Sequence, residues 1–309
     1  MKFRNDLNLH PAMFSALTRN DYDYEQAGDF SATGLIKSPR QLQLEKRYGK
    51  FVEKDASTMF PSVLGSSIHY MIQREAEKIP NCIVEKRIST DIDGIKITCK
   101  PDMFEIAEKG SVNIYDWKIT GVYGVILADD GVKTEWEQQL NINSAIIRRA
   151  WGWKTSVLVV GCFFRDWKKG ELEKAITDNK NYPEGYGKMI KIPLWDEKKQ
   201  DEFLFERVSL HREYRLETDN ALPECSSEER WERGECWAIM KPGRKSALKL
   251  CSSDKEAREL IGADNTLTVV HRPGRSMKCE SYCNGAPWCD FYLKAFNREL
   301  PAKGEIVSI

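Results

Sequence analysis

Apolar and polar residues alternate most regularly between residues 95 and 118. Two β-type runs, 95–106 and 112–118, flank a polar break at 107–111 that contains a glycine. A short polar break with glycine suits the loop between two antiparallel strands. The pattern therefore predicts a β-hairpin.

The register of this hairpin brings charged side chains together. Pairing Ile106 with Val112 places Asp102 opposite Asp116. Because side chains alternate between faces, both carboxylates share the face that carries Lys118. Opposed carboxylates destabilise a strand pair unless a cation lies between them, and Mg²⁺ is held by one or two carboxylates. The alternative is a solvated strand end whose Asp and Lys side chains face water.

Helical periodicity precedes and follows the hairpin. In residues 62–78 the apolar positions recur on one helix face: Val63, Leu64, Ile68, Met71 and Ile72. His69 lies beside that face, and Gln139 lies at the border of the buried face of a second helix, 134–152. The apolar run 157–164 predicts a central strand covered on both faces. This order predicts an α/β fold with a mixed sheet flanked by helices.

The later part of the chain is less regular. Residues 168–191 are polar and predict an insertion, and the helix that follows directs four residues inward: Phe203, Val208, Leu210 and Tyr214. Pro242 and Gly243 predict the turn of a small hairpin, and Ser253 with Glu256 predicts a helix cap. We therefore divide the chain into an N-terminal extension (1–30), a core with the metal site (31–165), a helical insertion (166–235) and a C-terminal part of the same domain with clustered cysteines (236–309).

Composition places the chain among ordinary globular proteins. Its 309 residues include 47 Lys and Arg and 47 Asp and Glu, so binding to a polyanion would depend on local patches. No apolar run approaches the roughly 18 residues of a membrane span. The opening residues also lack the apolar stretch of a signal peptide. We therefore expect a cytoplasmic protein, in a bacterium or a phage-infected host cell.

Four short motifs follow one another along the chain. Gly65 lies four residues before His69, and Lys100-Pro101-Asp102 and Asp116-Trp117-Lys118 come next. Gln139-Leu140-Asn141 follows on the next helix. In this order they resemble the PD-(D/E)XK nuclease superfamily, specifically its RecB-like branch. That branch includes the CRISPR spacer-acquisition nucleases and many phage exonucleases. The resemblance covers residues 31–165, returns at 279–295, and implies a PD-(D/E)XK (restriction-endonuclease-like) core.

The resemblance also implies roles for individual residues. His69, Asp102 and Asp116 would bind catalytic Mg²⁺ or Mn²⁺, with help from the backbone carbonyl after Asp116. Lys118 would orient or activate the attacking water and stabilise charge on the phosphate, and Gln139 would position the site or the substrate. Independently of the family, phosphodiester hydrolysis needs a nucleophile at neutral pH and neutralisation of developing charge, and a carboxylate-held metal supplies both.

Three of the nine cysteines, Cys279, Cys283 and Cys289, lie close together near the C terminus. In a reducing compartment, clustered cysteines indicate metal rather than disulfides. His271 would complete a tetrahedral structural Zn²⁺ site. Cys251 is the competing fourth ligand, for zinc or for an iron–sulfur cluster. The remaining alternative is three unligated cysteines in a tight loop.

The resemblance bears on the iron–sulfur alternative. In the iron–sulfur members of the branch the fourth thiolate comes from an N-terminal Cys-Pro-Arg, which is similar to Ser38-Pro39-Arg40 in this chain. Here serine replaces the cysteine. The first two C-terminal cysteines are also one residue farther apart than is usual, so zinc is favoured over a [4Fe–4S] cluster of the family type.

Basic residues cluster in three stretches, the first of which is interleaved with aromatic ones: Arg148, Arg149 and Lys154 around Trp151 and Trp153; Lys241, Arg244, Lys245 and Lys249; and Arg272, Arg275 and Lys278. Such mixing suits a path for single-stranded nucleic acid, where stacking contributes about 1–3 kcal/mol per base. Charge runs are also common on solvated faces. We expect DNA, single-stranded or with a free end, as the partner.

The sequence thus predicts a divalent-metal-dependent DNA nuclease, and within that class an exonuclease that acts on DNA ends in recombination, repair or phage replication. Two alternatives remain open. One is a non-catalytic nucleic-acid-binding or assembly module on the same fold, and the other is a structure-specific or RNA endonuclease. The intact Asp102, Asp116 and Lys118 argue against a site that has lost its activity.

Overall fold

The computed structural model of the protein describes residues 1–19, 28–108, 110–128, 131–262 and 264–309. These residues form two compact units. The first comprises residues 1–37, 53–216 and 308, and the second comprises residues 38–52, 217–307 and 309. The units divide the chain at other points than the boundaries predicted after residues 30, 165 and 235.

The elements alternate between strands and helices along the chain. The first part contains β1 (Lys2–Arg4), α1 (Pro11–Thr18), β2 (Phe30–Ser31), α2 (Ala32–Leu35), α3 (Pro39–Tyr48), β3 (Val52–Asp55), α4 (Phe60–Ala76), β4 (Cys82–Val84), β5 (Ile88–Ile92), β6 (Ile95–Cys99), β7 (Met103–Glu108), β8 (Ser111–Thr120), α5 (Tyr123–Ile126), α6 (Thr134–Trp151) and β9 (Lys154–Phe164). The second part contains α7 (Lys169–Thr177), β10 (Gly187–Ile192), α8 (Glu197–Glu213), β11 (Glu232–Arg233), β12 (Cys236–Met240), β13 (Lys249–Cys251), α9 (Asp254–Ile261), β14 (Thr268–Arg272), β15 (Arg275–Ser276), α10 (Met277–Ser281), α11 (Asp290–Ala295) and β16 (Val307–Ser308). Short 3-10 helices span Gly49–Phe51, Ala56–Met59, Asp219–Ala221 and Ala286–Trp288. Within the described ranges, none of the helices combines the length and hydrophobicity that crossing a bilayer requires.

The first unit is built on a five-stranded mixed sheet with the strand order β10-β9-β8-β7-β4. Strands β8 and β9 are parallel, and the other neighbours are antiparallel. Strands β7 and β8 form the predicted hairpin, and Ile106 pairs with Val112 as predicted. The predicted loop includes residue 109, which lies outside the described residues. The mixed α/β class is confirmed; β8 is the central strand of the sheet, and the predicted central strand, β9, lies between β8 and β10.

The predicted first strand of the hairpin is two strands in two different sheets. Strand β6 ends at Cys99 and lies between β2 and β5 in a three-stranded sheet, whereas β7 begins at Met103. Pro101 lies between them, and proline lacks the N–H group that a ladder needs. The break therefore places Asp102 just outside the ladder, one position before the first pair, Met103 with Tyr115.

Strand β10 lies in the stretch that the sequence predicted to be an insertion. It pairs with β9 at the edge of the sheet. Its buried Ile190 and Ile192 alternate with the exposed Met189 and Lys191. This is the pattern of a strand with one buried face, and the polar residues around it obscured the pattern.

Helices cover both faces of the five-stranded sheet. Helix α6 packs on β8 and β9, and α4 packs on β4 and β8. The Trp117 ring packs in a cluster with Ala76 of α4, whereas the neighbouring Asp116 receives a hydrogen bond from Gln139 of α6. Because successive strand residues point to opposite faces, the two helices lie on opposite sides of β8.

Helix α4 buries less of its apolar face than the periodicity predicted. Leu64 and Met71 are exposed, because the helix packs against the sheet cluster through Ile72 and Ala76 near its C-terminal end. Gly65, in its second turn, approaches no backbone of another element: a Cβ atom there would meet nothing within 4 Å. The N-terminal half of this helix is thus largely open to solvent.

Helix α8 buries a partly polar row of side chains: Gln200, Leu204, Val208 and His211. The predicted Phe203, Leu210 and Tyr214 are only half-buried. Gln200 Nε2 donates to Ser144 Oγ of α6 at 3.1 Å, and His211 Nε2 lies 3.1 Å from the Leu35 carbonyl oxygen. Apolar periodicity cannot reveal a buried row whose polar members are satisfied by distant partners.

The second unit contains a three-stranded antiparallel sheet in the order β13-β12-β14. The predicted turn at Pro242 and Gly243 joins β12 to β13, and Gly243 has a φ of 79°. Ser253 caps α9 by accepting the Glu256 N–H at 3.1 Å, as predicted. Helix α3 also belongs to this unit.

Gly161 provides a test of how tightly β8 and β9 pack. It pairs with Trp117 across the two parallel strands, and a Cβ atom at this position would lie 2.4 Å from Trp117 Cε3. We expect Gly161→Ala to lower the free energy of unfolding by about 1–3 kcal/mol, because the ring must move out of a filled space. Chemical denaturation measures the change.

Gly170→Ala is the matched control, because a Cβ atom at Gly170 in the first turn of α7 would meet nothing within 4 Å. We expect this change to be neutral or stabilising by up to about 1 kcal/mol. Equal effects of the two substitutions would contradict the close packing of Trp117 on Gly161.

Candidate active site and cysteine cluster

The five residues predicted to form the active site come from three elements of the first unit and from the segment that precedes β7. His69 lies on α4, Asp102 precedes β7, Asp116 and Lys118 lie on β8, and Gln139 lies on α6. Direct contacts connect them in two groups. His69 and Asp102 meet at the backbone of β8, and Asp116 meets Lys118 and Gln139 on the side of β8 that faces α6.

The His69 ring lies between two oxygen atoms. Its Nδ1 is 3.4 Å from Asp102 Oδ1, and its Nε2 is 2.8 Å from the backbone carbonyl oxygen of Trp117. A carbonyl oxygen can only accept a hydrogen bond, so Nε2 donates to Trp117, and the carboxylate beside Nδ1 favours a proton on that nitrogen as well. The hydrogen bond to Asp102 accordingly raises the pKa of His69 above its ordinary value, against the opposing effect of burial.

Asp102 uses its second oxygen to hold the backbone of β8. Its Oδ2 accepts a hydrogen bond from the Trp117 N–H at 2.7 Å. The same residue, Trp117, thus offers its N–H to Asp102 and its carbonyl to His69. These two bonds fix the distance between the carboxylate, the imidazole and the strand.

Asp116 is buried, with only 5% of its side chain exposed. Gln139 Nε2 donates to its Oδ1 at 3.1 Å, and Lys118 Nζ lies 2.5 Å from its Oδ2. Burial raises the pKa of Asp116 above its ordinary value and outweighs the opposing attraction of Lys118. The nearby Asp102 raises it further, since like charges disfavour ionisation.

The oxygens at this site suit a hard divalent cation. Asp116 Oδ2 is buried and makes no hydrogen bond of regular geometry within the described part of the chain, despite its contact with Lys118. Asp102 Oδ1 and the Trp117 carbonyl oxygen both face the His69 ring. Mg²⁺ and Mn²⁺ prefer such carboxylate and carbonyl oxygens. The residues present therefore fit the metal.

Glu85 lies beside His69 and Asp102, a position that the sequence did not reveal. Within the described ranges, one trio of side chains has potential ligand atoms all within 4.8 Å of one another: His69, Glu85 and Asp102. Asp116 is not part of this trio. Glu85 pairs with Lys100 and has a φ of 50°, and its N–H donates to the Asp102 carbonyl at 3.1 Å. It lies between two short strands, where no periodic pattern indicates its direction.

A cavity of about 160 Å³ adjoins the site. Gln139 and Lys100 form part of its wall, together with Arg87 and hydroxyl groups that include Thr98. Asn143 also lines it, and its Oδ1 is buried with no hydrogen-bond partner in the described chain. A polar cavity of this size can hold ordered water or a small anionic group.

The three C-terminal cysteines lie in the second unit, and all nine cysteines of the chain are free thiols. Burial raises the pKa of Cys279 to about 11 and that of Cys283 to about 12. Without a metal these side chains are therefore neutral thiols at physiological pH. Metal binding would have to displace their protons.

The structure does not bring the predicted fourth ligands, His271 and Cys251, to these cysteines. Because β14 pairs with β12, His271 Nε2 lies 2.9 Å from Glu235 Oε2, and its ring packs on Trp237 with a centroid distance of 4.8 Å. Cys251 lies in a separate apolar cluster with Ile239. His271 and Cys251 thus have neighbours of their own, and a zinc site completed by either of them stays a prediction.

The first basic stretch is largely engaged within the protein. Arg148 Nη2 lies 2.9 Å from Asp201 Oδ1, and Arg149 Nη1 lies 3.8 Å from the same oxygen. Lys154 Nζ lies 3.9 Å from Glu197 Oε1. These carboxylates belong to α8, so they reduce the positive charge that this stretch offers to DNA.

Comparisons with known proteins leave the family open. No family model matches the chain, and no curated protein matches it. Among solved structures, that of SSO0001 aligns over 64% of this chain and 82% of its own, with 15% identity and a TM-score of 0.38. A protein from Eubacterium rectale, provisionally named an exonuclease, aligns over 58% of this chain and 62% of its own, with 15% identity and a TM-score of 0.29. At these values the likeness supports no conclusion about fold or activity.

The raised pKa of Asp116 predicts how this residue affects stability. A carboxyl group whose pKa is higher in the folded than in the unfolded state stabilises the fold at pH values below its unfolded pKa, about 3.9. That contribution is lost as the pH rises through the folded value. At neutral pH, ionised Asp116 therefore destabilises the metal-free protein, and we expect Asp116→Asn to raise its thermal midpoint by at least about 2 °C.

Calorimetry of the wild type and of Asp116→Asn between pH 4 and 8 measures this effect, with Asp178→Asn as the control because the Asp178 side chain is 53% exposed. The difference between wild type and Asp116→Asn should grow with pH. Mn²⁺ should raise the midpoint of the wild type more than that of Asp116→Asn. A variant that is less stable than the wild type at neutral pH would contradict the raised pKa.

Proposed function

We propose that this protein is a divalent-metal-dependent nuclease that hydrolyses phosphodiester bonds in DNA and acts from DNA ends. The observation that supports it most is the position of a lysine and two aspartates around one backbone unit. Asp102 and His69 hold Trp117, and the flanking residues Asp116 and Lys118 pair with each other.

Asp102, Asp116, His69 and the Trp117 carbonyl would hold the metal, with Glu85 as a further candidate ligand. A bound Mg²⁺ or Mn²⁺ supplies an activated water and neutralises charge on the phosphate. His69 must lose one ring proton before it can act as a ligand, since metals bind neutral imidazole. Its raised pKa therefore predicts weaker metal binding at acidic pH.

Lys118 and Gln139 would position the reacting groups. The Lys118 ammonium reaches Asp116 and is about one quarter exposed, so it can also contact a water molecule or a phosphate oxygen. A fixed positive charge at that place stabilises the negative charge of a phosphoryl transition state. Gln139 holds one Asp116 oxygen and so leaves the other directed toward Lys118.

The preference for DNA ends rests on the resemblance to RecB-like exonucleases and on the cavity beside Gln139. Lys100 and Arg87 contribute positive charge to its wall. A small polar cavity next to the catalytic groups suits a terminal phosphate better than the middle of a continuous strand. Recombination, repair or phage replication would supply such ends.

Single substitutions test the catalytic assignment. We expect Lys118→Ala and Asp116→Asn each to lower Mn²⁺-dependent degradation of linear DNA by at least about 100-fold, because each removes a group that acts on the transition state. DNA binding, measured without metal, should change little. Lys198→Ala, on an 84% exposed side chain of α8, should retain wild-type activity, and full activity in both site variants would exclude this mechanism.

The choice of exonuclease is tested by substrates that differ only in their ends. With Mn²⁺, we expect end-labelled linear DNA to be degraded and closed circles, single- or double-stranded, to remain intact. Degradation of circles would show an endonuclease. Cleavage of RNA alone, or DNA binding without cleavage in any metal, would favour the RNA-cleaving or the non-catalytic alternative.

A further inference from the structure

The second unit brings a fourth cysteine to the three C-terminal ones. Cys225 follows the 3-10 helix Asp219–Ala221 and lies more than 50 residues before Cys279 in the sequence. Its Sγ is 2.9 Å from Ser38 Oγ. Ser38 is the N-cap of α3 and accepts the Gln41 N–H at 3.1 Å, so its hydroxyl hydrogen remains available to donate to the sulfur.

The four sulfur atoms are electrostatic neighbours. The thiol of Cys279 interacts with those of Cys225 and Cys289. The thiol of Cys283 interacts with those of Cys279 and Cys225, and Cys225 interacts with Cys289. The four thiols are therefore neighbours in the second unit.

A buried arginine contacts one of these thiols. Arg40 is 5% exposed, and its Nη1 lies 4.0 Å from Cys289 Sγ and pairs with Asp290. Its Nε donates to the Pro223 carbonyl at 3.1 Å. One guanidinium thus connects the start of α3 with the chain segments that carry Cys225 and Cys289, and its charge would compensate a group of thiolates.

We propose that Cys225 is the fourth thiolate ligand of an iron–sulfur cluster that Cys279, Cys283 and Cys289 complete. In the iron–sulfur proteins that the chain resembles, the fourth cysteine occupies the position of Ser38. Here the ligand has moved to a different segment of chain, whose sulfur lies within contact distance of the Ser38 hydroxyl. The site retains four sulfur atoms although the N-terminal cysteine is absent.

The spacing of the sulfur atoms favours a cluster over a single zinc ion. A tetrahedral Zn²⁺ with Zn–S bonds of about 2.3 Å needs sulfur atoms about 3.8 Å apart. No three of the four sulfurs, all within the described ranges, lie within 4.8 Å of one another. Four thiolates around a [4Fe–4S] cluster stand farther apart, because four irons and four sulfides lie between them.

The proposal concerns the second unit and does not depend on nuclease activity. The experiment uses the full chain, purified without oxygen, and measures iron, acid-labile sulfide, zinc and visible absorbance. We expect about four iron and four sulfide per wild-type chain. Cys225→Ser should lower both contents by at least about tenfold, while far-ultraviolet circular dichroism reports whether the variant remains folded.

A double variant tests the same ligand assignment if Cys225→Ser folds poorly. Because Ser38 Oγ and Cys225 Sγ are only 2.9 Å apart, Ser38→Cys combined with Cys225→Ser should restore the iron and the absorbance. Cys236→Ser, on strand β12, and His271→Ala are the controls and should retain the wild-type content. Zinc in place of iron, wild-type iron in Cys225→Ser, or no metal in the wild type would each overturn the proposal.

Discussion

The site in the first unit depends on a buried carboxylate. Asp116 lies on β8, the strand that has a parallel neighbour on one side and an antiparallel neighbour on the other. An ionised carboxylate in such a place needs compensation, because burial disfavours charge. Lys118 and Gln139 supply it in part, and the remaining capacity of Asp116 Oδ2 is what makes the position suitable for a cation.

The backbone of Trp117 connects this carboxylate to the other half of the site. Its N–H is held by Asp102 and its carbonyl by His69, while its ring fills the space left by Gly161 on the opposite face. The position of Trp117 on β8 therefore sets the distances among Asp102, His69 and the backbone of this strand. A shift of β8 against β9 would move Asp116 and Lys118 relative to His69.

The second unit carries a group of thiols instead of carboxylates. Arg40 is buried, its Nη1 lies 4.0 Å from Cys289 Sγ, and its Nε donates to the carbonyl of Pro223, two residues before Cys225, at 3.1 Å. The unit has a modest core of its own, in which Ile239, Cys251 and Ala257 are buried. A metal centre that ties together the segments carrying these thiols would add to the stability of this unit, because its binding free energy becomes folding free energy.

Sequence patterns determined what depends on neighbours along the chain. The hairpin register, helix α6 with Gln139 at its border, and the cap of α9 were predictable, because strand alternation, helical periodicity and capping are local. Together these patterns put Asp116 and Lys118 on one face of β8, where they pair, whereas Asp102 lies just outside the ladder and contacts His69 and the Trp117 backbone.

Tertiary structure alone decided the rest. Strand β6 lies in another sheet than β7, Gln200 in the polar row of α8 donates to Ser144, and the Glu85 carboxylate lies within 4.8 Å of potential ligand atoms of His69 and Asp102. Above all, Ser38 and Cys225 meet across 187 positions of sequence. Contacts between such distant residues produce no periodic pattern in the sequence, because the packing of whole elements brings the residues together.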